Sequence, residues 1–321
     1  MQIFVGMRPR TPTENYIRMS IIAITAYFNP FKSQRRENVF NTFRSALKSL
    51  GIPLLCVEQR FSHITPITGP TDILIEGGAL LWQKECLLQI GIDQALTSGY
   101  DNIIICDADI IFRNRNIKEI IEQSLTKYDF IQPFDTIVLE YDDGSITRSS
   151  VLNNKVLKQF GSGHPGSCWA ATADFCRNVR LYPYAILGGG DVVMSHLTSL
   201  AIKYSSLSPR FLDFCYFYAN NVLYPSLFES IITWATQFES KSFRLGCLPG
   251  IQLLSLSHGS RFQRKYESRY NSWRGHTANI APRPGENFTV GANGLIEWIS
   301  GREEWNNLIY NYFKQREQTT L

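Results

Sequence analysis

Asn102-Ile103-Ile104-Ile105-Cys106-Asp107-Ala108-Asp109 is the stretch from which the fold of this chain is read. Three isoleucines and a cysteine in a row make a short apolar run, as a strand buried on both faces requires. Two carboxylates, two residues apart, stand where that strand runs out. In an open α/β sheet the carboxyl ends of the strands are where ligands bind. Hard divalent cations such as Mg²⁺ and Mn²⁺ take carboxylate oxygens and leave further positions to phosphate. Asp109 is the expected direct ligand, and Asp107 is expected at a ribose or as an outer partner of the same ion. Taken alone, the triplet reads more readily as a solvated acidic turn, so the rest of the chain must decide.

Upstream, Ile21-Ile22-Ala23-Ile24-Thr25-Ala26-Tyr27 is a second buried strand. Val39, Phe43, Ala46, Leu47 and Leu50 then recur near the helical period, and Gly51 stops the helix. Strands at 54–57 and 73–75 precede a helix from Trp82 to Leu96. This β-α-β-β-α-β order predicts an α/β fold with a mostly parallel central sheet flanked by helices. Downstream, Phe130-Ile131-Gln132 is a strand, and Asp143-Gly144 marks a hairpin between 137–141 and 145–148. The pattern adds a strand at 169–172, helices at 174–179 and 191–202, broken helices over 211–240, a strand at 253–256, a long loop over 260–290 and a closing helix at 303–316.

Hydrophobic content of 44% and charged content of 19% are those of a soluble globular chain, and 321 residues suffice for a core without disulfides. A net charge of +4 is compatible with an anionic ligand and too small to demand nucleic acid. The seven cysteines form no Cys-x-x-Cys pair, which fits a reducing, cytoplasmic compartment. No secretory signal or membrane span is legible, so Asn287-Phe288-Thr289 is expected to be an unused sequon. The expected division is an extension at 1–18, a catalytic domain at 19–260, and a loop with a closing helix at 261–321 packed on the same domain.

Other residues carry chemistry. His258, after the strand ending at Leu256, is a possible third ligand for Mn²⁺ beside Asp107 and Asp109, or a histidine satisfied within the fold. Arg261, Arg264, Lys265 and Arg269, interleaved with Tyr266, Tyr270 and Trp273, could grip a diphosphate or track a nucleic-acid backbone; a solvated surface run is the alternative. Gly188-Gly189-Gly190-Asp191 opens an apolar helix. Gly189 and Gly190 let backbone approach a ligand, and Asp191 is placed either to take a proton from a hydroxyl or to cap the helix. Ala26, Tyr27 and Asn29 are candidates for a nucleobase, Glu58 for base or ribose, and Lys84 for a diphosphate or for Asp107. Gly161 to Gly166 match a dinucleotide fingerprint only in letters, because no apolar strand precedes them. They read as a loop bordering a sugar, with Trp169 in the pocket wall.

Taken in order, these motifs resemble those of family 2-like glycosyltransferases of the GT-A fold. The resemblance covers roughly residues 19–275 and is nearest to bacteriophage-encoded members, on His258-Gly259-Ser260-Arg261 with Arg264, Tyr266 and Arg269. It implies a small antiparallel sheet on the acceptor side and a nucleoside-diphosphate sugar donor, with UDP favoured. It further implies Mn²⁺ or Mg²⁺ on Asp109 and His258, ribose near Asp107, and Asp191 as the base of an inverting transfer. The acceptor would be a glycan or a hydroxymethylated base in phage DNA, and the enzyme a cytoplasmic monomer or homodimer without a membrane partner. Gly190 departs from relatives that carry an acidic residue there. A sugar nucleotidyltransferase and a non-catalytic nucleotide or sugar binder are the competing readings.

Overall fold

The computed structural model describes residues 20–61, 65–67, 69–153, 162–204, 208–239, 241–262, 270, 281–299 and 303–317. Residues 1–18, Arg264 and Arg269 lie outside them.

Seven strands form the central sheet: β1 (Ile21–Tyr27), β2 (Leu54–Arg60), β3 (Ile73–Glu76), β4 (Asn102–Cys106), β6 (Phe130–Gln132), β9 (Cys168–Thr172) and β10 (Leu245–Cys247). Their spatial order is β10-β6-β9-β4-β1-β2-β3. All neighbours are parallel except β9, which runs antiparallel to β4 and β6. A second sheet holds β5 (Ile110–Phe112), β7 (Thr136–Tyr141), β8 (Gly144–Ser149) and β11 (Gln252–Ser255) in the order β5-β11-β7-β8. The fold is α/β, with a mostly parallel sheet flanked by helices, as expected. The small antiparallel sheet is present as expected, with one parallel pair in it, β11 beside β7. A third pair, β12 (Phe288–Val290) and β13 (Ile296–Trp298), closes in a hairpin.

Strand alternation divides the core between two faces. On β1, Ile22 and Ile24 point to one face and Ile21 and Ala23 to the other; β4 does the same with Ile103 and Ile105 against Ile104 and Cys106. Helix α2 (Lys84–Thr97) packs Leu87, Leu88, Ile92 and Ala95 on the first face. Helix α1 (Gln34–Ser49) packs Phe40, Phe43 and Leu47 on the second, joined by Ile117, Ile121 and Leu125 of α3 (Ile117–Leu125). Each such side chain contributes about 1.5–3 kcal/mol by leaving water. The chain continues through α4 (Ala173–Asn178), α5 (Gly190–Val192), a π-helical turn at Val193–Leu197, α6 (Thr198–Tyr204), α7 (Pro209–Asn221) and α8 (Phe228–Ala235). The last helix, Glu303–Glu317, sets Phe313 against Phe28 and Trp82. Among the described residues no helix is long and apolar enough to cross a membrane. The seven cysteines are free, six of them buried.

Several boundaries move. The hairpin turn is Asp142-Asp143, because Gly144 already pairs with Tyr141. The helix at 191–202 is interrupted by the π turn, an irregularity that hydrophobic periodicity does not encode. Strands β5, β10, β12 and β13 have only three residues each, too few to show a period. Tyr270, read with the basic run, is instead fully buried: its hydroxyl donates to Gly188 O at 2.7 Å and accepts from Leu187 N at 3.1 Å.

Helix α2 approaches the sheet most closely at Gly91, where a Cβ would lie 2.4 Å from Ile24 Cγ2 and 3.0 Å from Val57 Cγ2. Gly91→Ala should therefore lower stability by about 1–3 kcal/mol despite alanine's better helix propensity. A chemical denaturation midpoint at or above that of the wild type would show that the helix can lift off freely.

Candidate active site

The chain passes from one sheet to the other through Asp107-Ala108-Asp109: β4 ends at Cys106 in the central sheet and β5 begins at Ile110 in the second. Asp107 N–H donates to Ser167 O at the start of β9, and Leu256 N–H donates to Asp109 O, both at 2.8 Å. One carboxylate is thus anchored to each sheet. The antiparallel register that pairs Ser255 with Ile110 delivers His258 to Asp109. His258 Nδ1 lies 3.3 Å from Asp109 Oδ2, and Ser255 Oγ donates to the same oxygen at 3.2 Å. Arg35 steadies this segment by an ion pair to Asp142 and a 3.0 Å bond to Ser257 Oγ.

Across the triplet, Lys84 is the first residue of α2. An ammonium at a helix N-terminus has the wrong sign for the helix dipole. Two carboxylates compensate: Lys84 Nζ lies 3.1 Å from Asp107 Oδ1 and 2.5 Å from Asp191 Oδ1. Burial opposes the charge of Lys84, but the attraction of Asp107 and Asp191 outweighs it and raises its pKa well above the ordinary value. Burial pushes the Asp107 carboxyl upward, with Lys84 resisting and Asp191 and Asp109 adding to the rise. Trp169 lies beneath, its ring 5.8 Å from Lys84 Nζ.

Asp191 is presented by the glycine turn. Gly188 and Gly189 hold φ of +95° and +101°, a region closed to most side chains. Gly166 is needed for a different reason: a Cβ there would meet Asp191 Oδ2 at 2.7 Å. Its neighbour Ser167 is itself left-handed, with φ +71°, so the backbone under the site is strained.

Glu85, next on α2, is 2% exposed. The helix N-terminus favours its anion by at most about 2 kcal/mol. Taking a carboxylate out of water costs several kcal/mol. Burial therefore wins, and the Glu85 pKa is pushed up to about 8 even with Lys84 beside it.

Lys84, Asp107, Asp109, Asp191 and His258 border a cavity of about 980 Å³, at the upper end of the range for a small-molecule site, roughly 300–1,000 Å³. Ala26, Tyr27, Lys84, Asp107, Asp109, Gly189, Asp191, His258 and Arg261 all line it. So do Gly163, His164, Pro165, Gly166 and Ser167 of the glycine-rich loop. Four expected contacts do not. Asn29 is turned into the bend before α1, where its Oδ1 accepts from Ser33 N at 2.9 Å. Glu58 is buried and accepts from Ile67 N at 3.1 Å. Trp169 is core, with its Nε1 donating to Pro165 O at 3.1 Å, and Gly190 is covered by Glu85. Polar residues at strand ends look alike in a sequence whether they face a ligand or tie a loop. Phe28, Arg36, Trp82, Arg148 and Phe262 also line the cavity, and none was singled out. Arg36 was detectable in principle, in the first turn of α1 six residues after Pro30; Arg148 becomes visible only when the second sheet is assembled.

Asp109 and His258 offer a carboxylate and an imidazole, a donor pair suited to Mn²⁺. Among the described residues no three His, Cys, Asp or Glu side chains are arranged to hold a metal ion. Asp107 is turned to Lys84 and does not complete a trio with the other two. An ion here fits as one held by two side chains, with substrate and water oxygens completing its shell, the mode Mg²⁺ and Mn²⁺ use beside phosphates.

No family model matches the chain, and no curated protein sequence matches it. Solved structures do. A Bacillus anthracis protein assigned as a glucose-1-phosphate thymidylyltransferase, in complex with sucrose, is 12% identical, with 80% of this chain and 97% of that one covered and a TM-score of 0.37. A glycosyltransferase involved in glycosylation of the major capsid of PBCV-1 is 11% identical, with 76% and 96% covered and a TM-score of 0.32. The catalytic domain of Drosophila β1,4-galactosyltransferase 7 is 11% identical, with 57% and 61% covered and a TM-score of 0.32. At such scores neither substrate nor reaction carries over from them.

Lys84→Met should leave Asp107 and Asp191 close together without a counter-charge. It should cost about 2 kcal/mol at neutral pH, less than the full penalty for breaking a buried pair because both carboxylates keep some solvent contact. It should also move the titration of Asp107 further upward, because Lys84 is what holds that carboxyl down against burial. Carboxyl ¹³C NMR at several pH values tests this; titrations that coincide with those of the wild type would mean that the ion pairs are not made.

Proposed function

We propose that this chain is a glycosyltransferase that moves a sugar from a nucleoside-diphosphate donor to an acceptor hydroxyl, with inversion and with a divalent ion at Asp109 and His258. The observation that supports this reading is the convergence, in one cavity, of a carboxylate–imidazole pair, a lysine, and one aspartate set beside the backbone of Gly166 and Gly189.

Tyr27, Phe28 and Val39 at the end of β1 and on α1 supply the apolar wall for a nucleobase. Arg36, Arg148 and Arg261 supply positive charge for phosphate oxygens. A bound Mn²⁺ or Mg²⁺ would neutralise the charge that grows on the departing diphosphate. Lys84 is placed to share that task, and its move toward a diphosphate would release Asp191. Asp191 then accepts the acceptor's proton as the new C–O bond forms at the anomeric carbon and the bond to the diphosphate oxygen breaks. Attack from the face opposite the leaving group inverts that carbon. UDP is the favoured nucleotide, and the acceptor is a glycan hydroxyl or a hydroxymethylated base in DNA.

The test is a panel of nucleotide sugars with Mn²⁺, scored for nucleoside diphosphate released by slow hydrolysis and for transfer to the two acceptor classes. Asp109→Ala should weaken metal-dependent UDP binding by about 10–100-fold, measured by calorimetry. Asp191→Asn should keep that binding and lose about 10²–10⁴-fold in turnover. Release of pyrophosphate from a nucleoside triphosphate and a sugar phosphate would reassign the chain to nucleotidyl transfer. Full turnover in Asp191→Asn would remove the base from this scheme.

A further inference from the structure

Glu85 has no part in the scheme above, yet it lies against the glycine turn. A Cβ on Gly190 would fall 2.1 Å from its Oε1 and 2.4 Å from its Cδ. Among the described residues neither carboxyl oxygen has a hydrogen-bond partner other than the residue's own backbone N–H. Its surroundings are Lys84 and Cys86 on its own helix, Asp191 across the turn and Asp107 at the end of β4. A buried carboxyl with so few partners stays uncharged unless a cation is dedicated to it, and Lys84 already serves two carboxylates.

We propose that Glu85 is a positioning residue for Asp191: its neutral carboxyl fills the space that Gly190 leaves, props the backbone presenting Asp191, and keeps a third negative charge away from Lys84. Gly190 is then glycine because Glu85 occupies its side-chain volume. Ionisation of Glu85 would set three carboxylates around one ammonium and oppose the entry of a diphosphate. The diphosphate part of this inference rests on the proposed function; the proton on Glu85 and the fit with Gly190 do not.

Two experiments on the full chain separate these parts. The first compares thermal unfolding of the wild type and Glu85→Gln from about pH 5 to about pH 9. Because the folded-state pKa, about 8, is above the unfolded value, folded protein binds more protons between the two, and stability falls as pH rises through that window. Glutamine keeps the uncharged shape and removes the proton. The melting temperature of Glu85→Gln should therefore gain on that of the wild type as pH rises; parallel curves would overturn the neutral carboxyl. Gly190→Ala should lower the melting temperature, and adding Glu85→Ala should restore part of the loss; strictly additive losses would overturn the shared space.

The second experiment measures UDP binding with Mn²⁺ across the same pH range. Wild-type affinity should fall by about tenfold more than that of Glu85→Gln between about pH 7 and pH 9, the effect of one added buried charge near the diphosphate. Equal pH profiles would overturn the role toward Asp191 and Lys84. If UDP fails to bind the wild type at any pH, the proposed function falls, while the unfolding curves still decide whether Glu85 holds its proton.

Discussion

One ammonium shared by two carboxylates organises this site. Lys84 comes from the first turn of α2, Asp107 from the end of β4, and Asp191 from the glycine turn before α5. These elements approach the same point from three directions, and each carries a charge that would be costly to bury alone. The lysine's position at a helix N-terminus makes the two acidic neighbours more necessary. The arrangement holds the site together and also occupies Oδ1 of Asp191. In the proposed reaction, Asp191 is therefore released by a substrate charge that competes for Lys84.

The second organising feature is the crossing of the chain between two sheets at Asp107-Ala108-Asp109. Because β4 belongs to the central sheet and β5 to the mixed one, two neighbouring aspartates face different partners: Lys84 for the first, His258 for the second. This separates a lysine-centred corner from an aspartate–histidine corner within one cavity. Close packing supports both. Gly166 lets the carboxylate of Asp191 rest on backbone, Gly190 makes room for Glu85, and Tyr270 fastens the turn from beneath through Gly188 and Leu187.

The proposed reaction uses these features unequally. The lining cations and the apolar wall at Tyr27 and Phe28 serve binding, which any nucleotide-binding protein needs. The aspartate held over a glycine backbone is the feature that argues for turnover, because a mere binder has no use for a proton acceptor beside strained backbone. Glu85 belongs with the supporting frame, since it touches the turn and not the cavity.

Much of this was legible from residue order. Apolar runs at 21–27 and 102–106 mark buried strands because only such strands tolerate apolar residues on both faces. Asp107, Asp109, Asp191, His258 and Lys84 stand out as charged residues at element ends, and all of them line the cavity. Lys84 with Asp107 and Asp109 with His258 were pairs the residue order suggested; the sharing of Lys84 with Asp191 was not. The meeting of Asp109 and His258 follows from strand register between β5 and β11, and that of Lys84 with both Asp107 and Asp191 from the approach of α2 to the end of β4 and the glycine turn, contacts between segments far apart in the chain. Asn29, Glu58 and Trp169 carry the same sequence signals and turn inward, because hydrogen bonds to nearby backbone claim them first. Glu85 reads as an ordinary helix-start glutamate, and only the packing of α2 against Gly190 makes it a buried acid. Local composition thus determined which segments are strands and which charges lie at their ends. Tertiary structure decided which charges meet, because short-range electrostatics and close packing depend on distances that only the assembled sheets and helices set.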